Sequence, residues 1–321
     1  NENYLNFLDF LKDEDINYLK RKRDDLIAII IISDISKKFV NIVKTNYKPD
    51  NILEGDEAHQ FLDETRFIEI AGEKAFQQAD FEIIAGPCSV ENKVQMEEIG
   101  QILSDLNIKY IRGGAFKPRT SPYQFQKKKK KGLQLLKNEA QKHGFKIVTE
   151  VMDTDKIPVV SEYSDILQIG SRNMYNYSLL KEVGKTDKPV LLKRGMSATY
   201  EEFVMAAEYI YRQGNKNIIL CERGIRTFAE KTRFTLDLMA VPILKKLSDY
   251  PIIIDPSHGT GRWDLIQPAS VAALTLGAQG VMVEIHPEPD LALSDGYQSL
   301  NLSNFKNLVK NIKKKTKRTG N

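Results

Sequence analysis

Downstream of residue 80 the chain alternates between two kinds of segment. Short apolar runs, often β-branched, recur as FEIIAG, IKYIRG, FKIVTEV, DILQIG, PVLLKRG, NIILCERG, PIIIDPSH and GVMVEIH. Runs of strand length that are apolar almost throughout predict strands buried on both faces. Between most of them the apolar positions fall at helical spacing, as in KVQMEEIGQILSDL and TYEEFVMAAEYIYRQG, the second reaching a glycine of the kind that stops helices. Strands of this type alternating with amphipathic helices predict a parallel sheet covered by helices, and eight such units predict a closed (β/α)8 TIM barrel. A doubly wound open sheet is the alternative. Two features weigh against it: no GxGxxG follows the first strand, and polar residues end nearly every strand instead of gathering at one switch point.

The first 64 residues read differently, which divides the chain into a small module (1–64) and the barrel (65–321). NYLNFLDFLKDE has helical spacing, YLKRKRDDLIAIIIISD is rich in β-formers, and ISKKFVNIVKTN is helical again. The isoleucine run favours strand over one long helix. A ferredoxin-like α/β module lacking its first strand is the expected architecture, with a plain packing appendage as the alternative.

Composition narrows the class without naming a chemistry. The longest apolar run, Leu26 to Ile32, is far too short to span a bilayer, and no charged-then-apolar leader is visible, so a cytoplasmic protein is expected. Two cysteines, Cys88 and Cys221, permit one disulfide at most and fit a reducing compartment. Cys221 sits inside an apolar strand and reads as core. The net charge of +4 is mild, and its lysine clusters, Lys127 to Lys131 and KKKTKR near the end, lack the interleaved aromatics that a single-strand-binding surface uses. Neither a nucleic-acid nor a membrane partner is expected.

In a (β/α)8 barrel the strand C-termini converge on one mouth, so residues distant in sequence become neighbours there. The strands deliver Cys88; Arg112 with Lys117 and Arg119; Glu150; Gln168 and Arg172; Lys193 and Arg194; Glu222, Arg223 and Arg226; Asp255 and His258; and Glu284 and His286, with Asp295 following. One population is cationic: Arg112, Lys117, Arg119, Arg172, Lys193, Arg223 and Arg226. Cations so crowded need carboxylates or bound anions to offset them, and arginine forks suit phosphate and carboxylate, so phosphorylated substrates are expected. The other population, Cys88, His258, Glu284 and Asp295, comes from the first, seventh and eighth strands, which are consecutive around a closed barrel. A mixed S, N and O donor set suits one divalent transition metal such as Mn, Fe, Co or Zn. A nucleophilic Cys88 with His258 as its base stays open as an alternative.

The segments GPCSVE, RGGAFKPRTSPYQFQ, LQIGSRNM, PVLLKRG, ILCERGIRTF, DPSHGTGR, VEIHPEP and ALSDGYQSL, in this order over roughly residues 65 to 312, resemble the motif series of the 3-deoxy-D-arabino-heptulosonate 7-phosphate (DAHP) synthases, type I beta. The resemblance implies a metal-dependent transferase that condenses phosphoenolpyruvate with erythrose 4-phosphate at the entry to the shikimate pathway. It makes Cys88, His258, Glu284 and Asp295 the metal ligands. Arg112, Lys117, Arg172, Lys193 and Arg223 would hold phosphoenolpyruvate, and Arg119, Thr120 and Ser121 the sugar phosphate. Lys117, crowded by cations that disfavour its charge, is the leading proton-transfer residue, with Glu150 as the alternative. Relatives are commonly tetramers, and their amino-terminal modules are tied to feedback control, so a homotetramer and a feedback ligand are implied.

Two sister readings remain beside this one. The 3-deoxy-D-manno-octulosonate 8-phosphate synthases typically carry K-A-N-R-S where this chain has Lys117, Pro118, Arg119, Thr120 and Ser121. A non-catalytic phosphate-binding barrel would need the cations but not the four ligands. One departure from the family pattern is local: Lys127 to Lys131 replace a glycine-rich GLGxEGL, which removes backbone freedom beside the sugar-phosphate site.

Overall fold

The computed structural model describes residues 2–16, 18–23, 26–31, 35–49, 68–77, 80–114 and 129–319. The chain divides into two compact units, residues 1–64 with 247–249, and residues 65–246 with 250–321.

In the smaller unit, helix α1 (Glu2–Asp13) precedes an antiparallel hairpin of β1 (Tyr18–Arg23) and β2 (Leu26–Ile31), and helix α2 (Lys37–Asn46) follows. The isoleucine-rich run is therefore strand. Ser36 caps α2 by accepting from the Phe39 backbone N–H. Phe10 stacks on Phe39 at 5.6 Å and meets Tyr47 at 5.4 Å, which joins the two helices through aromatic contact.

The larger unit opens with a short hairpin, β3 (Ile68–Ile70) and β4 (Glu73–Ala75). Eight parallel strands follow: β5 (Glu82–Gly86), β6 (Tyr110–Arg112), β7 (Lys146–Glu150), β8 (Ile166–Ile169), β9 (Val190–Lys193), β10 (Ile218–Glu222), β11 (Ile252–Ile254) and β12 (Gly280–Glu284). Each pairs with its neighbours in sequence, and β12 pairs with β5, closing a barrel. The first seven are followed in turn by α3 (Lys93–Asp105), α4 (Lys129–His143), α5 (Ile157–Ser161), α6 (Tyr177–Val183), α7 (Tyr200–Tyr211), α8 (Ala240–Leu247) and the pair α9 (Pro256–Thr260) and α10 (Trp263–Thr275). Helix α11 (Leu302–Thr319) follows β12. All eight runs singled out in the sequence are barrel strands, buried nearly end to end because helices cover the outside and side chains fill the inside.

Inside the barrel, Ile84, Tyr110, Val148, Leu191, Ile219, Cys221, Ile253 and Met282 share one buried cluster with Ile68, Ile70 and Phe76 of the hairpin segment. The hairpin thus plugs the end of the barrel where the strands begin. Phe76 packs on Tyr110 at 5.2 Å, and the Glu69 backbone N–H donates to Asn217, just before β10. Cys221 is fully buried in this core, and burial pushes its thiol far above its ordinary pKa, as expected of an inert packing residue. Three residues of the lysine run, Lys129 to Lys131, form the start of α4. Lysine has good helix propensity.

Candidate functional site: the barrel mouth

The closure of β12 onto β5 builds the centre of the site. Glu284 lies in register with Gly86, two residues before Cys88, so the ends of the first and eighth strands are neighbours although nearly two hundred positions separate them in sequence. Donor atoms of Cys88, Glu284 and Asp295 all lie within 4.8 Å of one another. The Cys88 thiol donates to Asp295 Oδ2 at 2.9 Å. Asp295 adopts the left-handed conformation at φ 57°, tolerable for an aspartate and costly for most residues.

His258 enters from the seventh strand, just outside this close group, with Nε2 3.4 Å from Glu284 Oε1. Its placement follows from Asp255, which directly follows β11 and caps α9. Asp255 Oδ1 accepts the His258 backbone N–H at 2.9 Å, and Oδ2 lies 2.7 Å from His258 Nδ1. A proton on Nδ1 satisfies that contact and leaves Nε2, turned towards Glu284, with its lone pair available. Burial, with Lys193 adding to it, pushes the His258 pKa down against the pull of Asp255 and Glu284, so the neutral ring is favoured. Asp255 is held well below the usual carboxylate range, because His258 and Lys193 outweigh the burial that would raise it.

The cations separate into three groups. Arg112, Lys193 and Arg223 are buried at the mouth. Arg112 Nη1 donates to Glu284 Oε1 at 2.7 Å and to the Pro87 carbonyl at 2.8 Å. Burial opposes its charge, yet Glu284, Cys88 and Asp255 together hold its pKa above the ordinary value. Lys193 pairs with Asp255. Arg223 lies over the Phe234 ring at 4.2 Å, and its pKa is lowered because burial, reinforced by Arg233, exceeds what Asp255 returns. A second group, Arg172 and Arg226, is exposed beyond the ends of β8 and β10. Lys117, Arg119, Thr120 and Ser121 lie outside the described residues. Carboxylates of the chain itself thus offset two of the three buried cations, and Arg223 carries the most incompletely compensated charge.

Arg194, next to Lys193, is a structural cation. It donates to Glu222, Asp237 and the Ala198 carbonyl and sits 4.5 Å from the centre of the Tyr200 ring. His286 turns to its own loop: Nδ1 accepts the Glu288 backbone N–H at 3.0 Å, and Nε2 lies 3.6 Å from Glu91. The residues that sequence reasoning passed over hold the ligand candidates in place. Glu91 accepts the Leu293 backbone N–H and so ties the Asp295 loop to the segment after β5. Gln298 donates to Glu284 Oε2 at 2.6 Å, and Arg233 donates to Gln298 Oε1 at 2.8 Å. Nothing in their spacing marks them, because each works across a loop that only the fold brings close.

This donor set fits a divalent transition cation. Thiol, imidazole and carboxylate groups converge in a buried site, and a cation there would relieve the crowding of a lone pair at His258 Nε2 against Glu284 Oε1. Residues 68–320 match the model of a protein family described as the DAHP synthetase I family. The chain belongs to the DAHP synthetase I family. It is 56% identical over 234 residues to a phospho-2-dehydro-3-deoxyheptonate aldolase of Thermotoga maritima, covering 73% of this chain and 69% of that protein. The crystal structure of a Thermotoga maritima phospho-2-dehydro-3-deoxyheptonate aldolase (DAHP synthase) superposes with a TM-score of 0.80 at 44% identity, covering 99% of this chain and 95% of that one. A truncated form of 3-deoxy-D-arabino-heptulosonate 7-phosphate synthase from the same organism gives a TM-score of 0.73 at 50% identity, covering 79% and 93%. More distant is a 2-dehydro-3-deoxyphosphooctonate aldolase of Syntrophotalea carbinolica, 29% identical over 72% of this chain and 88% of that protein. As a member of the DAHP synthetase I family, the chain is a carbon–carbon bond-forming enzyme with DAHP synthase activity, the first step of the shikimate pathway.

Proposed function

We propose that the chain condenses phosphoenolpyruvate with erythrose 4-phosphate and water to give DAHP and inorganic phosphate, with one divalent metal held by Cys88, His258, Glu284 and Asp295. The observation that carries this reading is the cluster of buried Cys88 and Glu284 with half-buried Asp295, beside the buried cations Arg112, Lys193 and Arg223. A binding module would need the cations alone.

In the reaction, carbon 3 of phosphoenolpyruvate bonds to the aldehyde carbon of erythrose 4-phosphate. Negative charge develops on the aldehyde oxygen, and carbon 2 becomes electron-poor. Water adds at carbon 2, giving up one proton, and the resulting hemiketal phosphate expels inorganic phosphate. When bound, a divalent cation supplies Lewis-acid polarisation of an oxygen next to the reacting carbons. The chain's own groups do the rest. Arg112, Lys193 and Arg223 hold the carboxylate and phosphate of phosphoenolpyruvate, with Arg172 reaching in from the rim. Arg119, Thr120 and Ser121 take the sugar phosphate, and Lys117 moves the proton, with Glu150 as its substitute. Fixing both substrates in one mouth converts their encounter into an oriented step within a complex.

No helix among the described residues is long and apolar enough to cross a membrane. A cytoplasmic homotetramer, with a ferredoxin-like amino-terminal module that takes a feedback ligand, completes the reading. The test is phosphate release from phosphoenolpyruvate with erythrose 4-phosphate or arabinose 5-phosphate, each with Mn2+ and with excess chelator. Release that needs erythrose 4-phosphate and metal supports the proposal. Release with arabinose 5-phosphate instead moves the chain to the octulosonate reaction. Release that survives the chelator refutes the metal.

A further inference from the structure

Arg233 is a cation near the mouth to which the proposed function gives no part. Arg233 lies between β10 and α8, well beyond the strand end where a sequence reading looks for site residues. Its Nη1 donates to Gln298 Oε1 at 2.8 Å and stands 3.8 Å from Asp295 Oδ1, while Gln298 Nε2 donates to Glu284 Oε2 at 2.6 Å. One guanidinium therefore reaches both acidic members of the ligand cluster, Asp295 directly and Glu284 through an amide. We propose that Arg233, acting with Gln298, is the positioning residue that sets the Glu284 and Asp295 carboxylates for the divalent metal. This rests on the metal site proposed above.

The chemistry of the chain of contacts is directional. A guanidinium only donates and an ionised carboxylate only accepts, whereas a glutamine amide has one end of each kind. With Arg233 on its oxygen, the amide of Gln298 must present its NH2 to Glu284, and a flip would lose both bonds. Gln298 is fully buried, so no water replaces either partner cheaply. Glu284 Oε2 is thereby committed, and Oε1 is the oxygen left facing Arg112 and His258.

The backbone of Arg233 is placed by the same turn that carries His258. The Arg233 and Phe234 N–H groups donate to the Thr260 and Gly259 carbonyls at 2.8 and 3.0 Å. The approach is close enough that a Cβ on Gly261 would fall 2.5 Å from the Arg233 Cβ. One segment thus touches the seventh-strand turn through its backbone and the eighth-strand carboxylates through its side chain. The bland reading is a rim ion pair, since the Arg233 side chain is 32% exposed. Such a pair contributes little to stability, which gives the two readings different signatures.

The experiment measures Mn2+ affinity of the metal-stripped full chain by titration with detection of free Mn2+, together with the melting temperature of the metal-free protein. Arg233→Met and Gln298→Met should each weaken Mn2+ binding about 10- to 100-fold, the usual cost of removing an outer partner of a metal ligand. Arg233→Met should leave the metal-free melting temperature almost unchanged. The double variant should lose less than the product of the two single losses, because both residues act along one chain of contacts. Cys88→Ala serves as the control for the site itself. If Cys88→Ala loses Mn2+ while Arg233→Met and Gln298→Met bind it as the parent does, the inference is overturned and the metal site stands. If Cys88→Ala binds Mn2+ normally, the metal site fails and the inference with it. Losses that multiply in the double variant would overturn the route through Gln298. Should Arg233→Met not fold, Gln298→Met carries the same comparison.

Discussion

Replacing Arg194 by methionine tests whether a strand-end arginine belongs to the scaffold. The guanidinium donates to the Ala198 carbonyl at 3.0 and 2.8 Å, to Glu222 at 2.9 Å and to Asp237 at 2.9 Å. Glu222 is fully buried, and without Arg194 it keeps the backbone N–H groups of Gly224 and Asp237. Removing one partner of a buried ion pair costs roughly 3–5 kcal/mol, because the other charge stays buried and uncompensated. The sign of the pH dependence follows from Glu222, whose pKa burial already raises against the pull of Arg194. Losing Arg194 raises it further. Between the unfolded and folded pKa values the native state then holds a proton that the unfolded chain lacks, so stability falls by about 1.4 kcal/mol per pH unit as pH rises. Urea denaturation at higher pH should therefore show the larger deficit, and at lower pH a smaller one as Glu222 takes up its proton. Adding Glu222→Gln should recover much of the loss at the higher pH. A deficit independent of pH, or no recovery in the double variant, would refute the reasoning.

The remaining expectations concern the site. Cys88→Ala should abolish turnover and Mn2+ binding while leaving the circular dichroism unchanged; full activity in the metal-stripped variant would sink the metal assignment. Arg119→Ala should mainly raise KM for erythrose 4-phosphate, and an equal rise for phosphoenolpyruvate would argue against its assignment to the sugar phosphate. A Cβ at Gly170 would fall 2.1 Å from Glu150 Oε1, so Gly170→Ala should displace that carboxylate and cost about 1–3 kcal/mol, the range for overpacking, as read from the urea midpoint. Unchanged stability and turnover in Gly170→Ala would show that Glu150 moves aside freely.

Much of the fold was legible because burial on both faces leaves a strand no choice but apolar residues, and the helices between them repeat at a different period. The eight runs from FEIIAG to GVMVEIH could be ordered around a barrel, and that order alone brought Cys88, Glu284 and Asp295 to one place. The strand character of the amino-terminal run was legible from its isoleucines, but its turn back into a hairpin was not. Less legible were the partners of the cations. Arg112, Arg194 and Arg223 all lie at or just past a strand end and look alike in sequence, yet one faces Glu284, one is sealed between Glu222 and Asp237, and one lies over Phe234. Neither Arg233 nor Gln298 lies at a strand end, so the barrel order gave neither of them a place at the site.

What the sequence determined by itself, then, is periodicity and order: which segments are strands, how many there are, and which side chains emerge where each one stops. These depend on neighbours a few positions away. The tertiary structure alone decided which charges pair. A buried charge takes whichever opposite group the closed barrel sets within hydrogen-bond reach, and those groups lie tens to hundreds of positions away. The tautomer of His258, the orientation of the Gln298 amide and the oxygen of Glu284 left facing the mouth all follow from such contacts, which local pattern cannot encode.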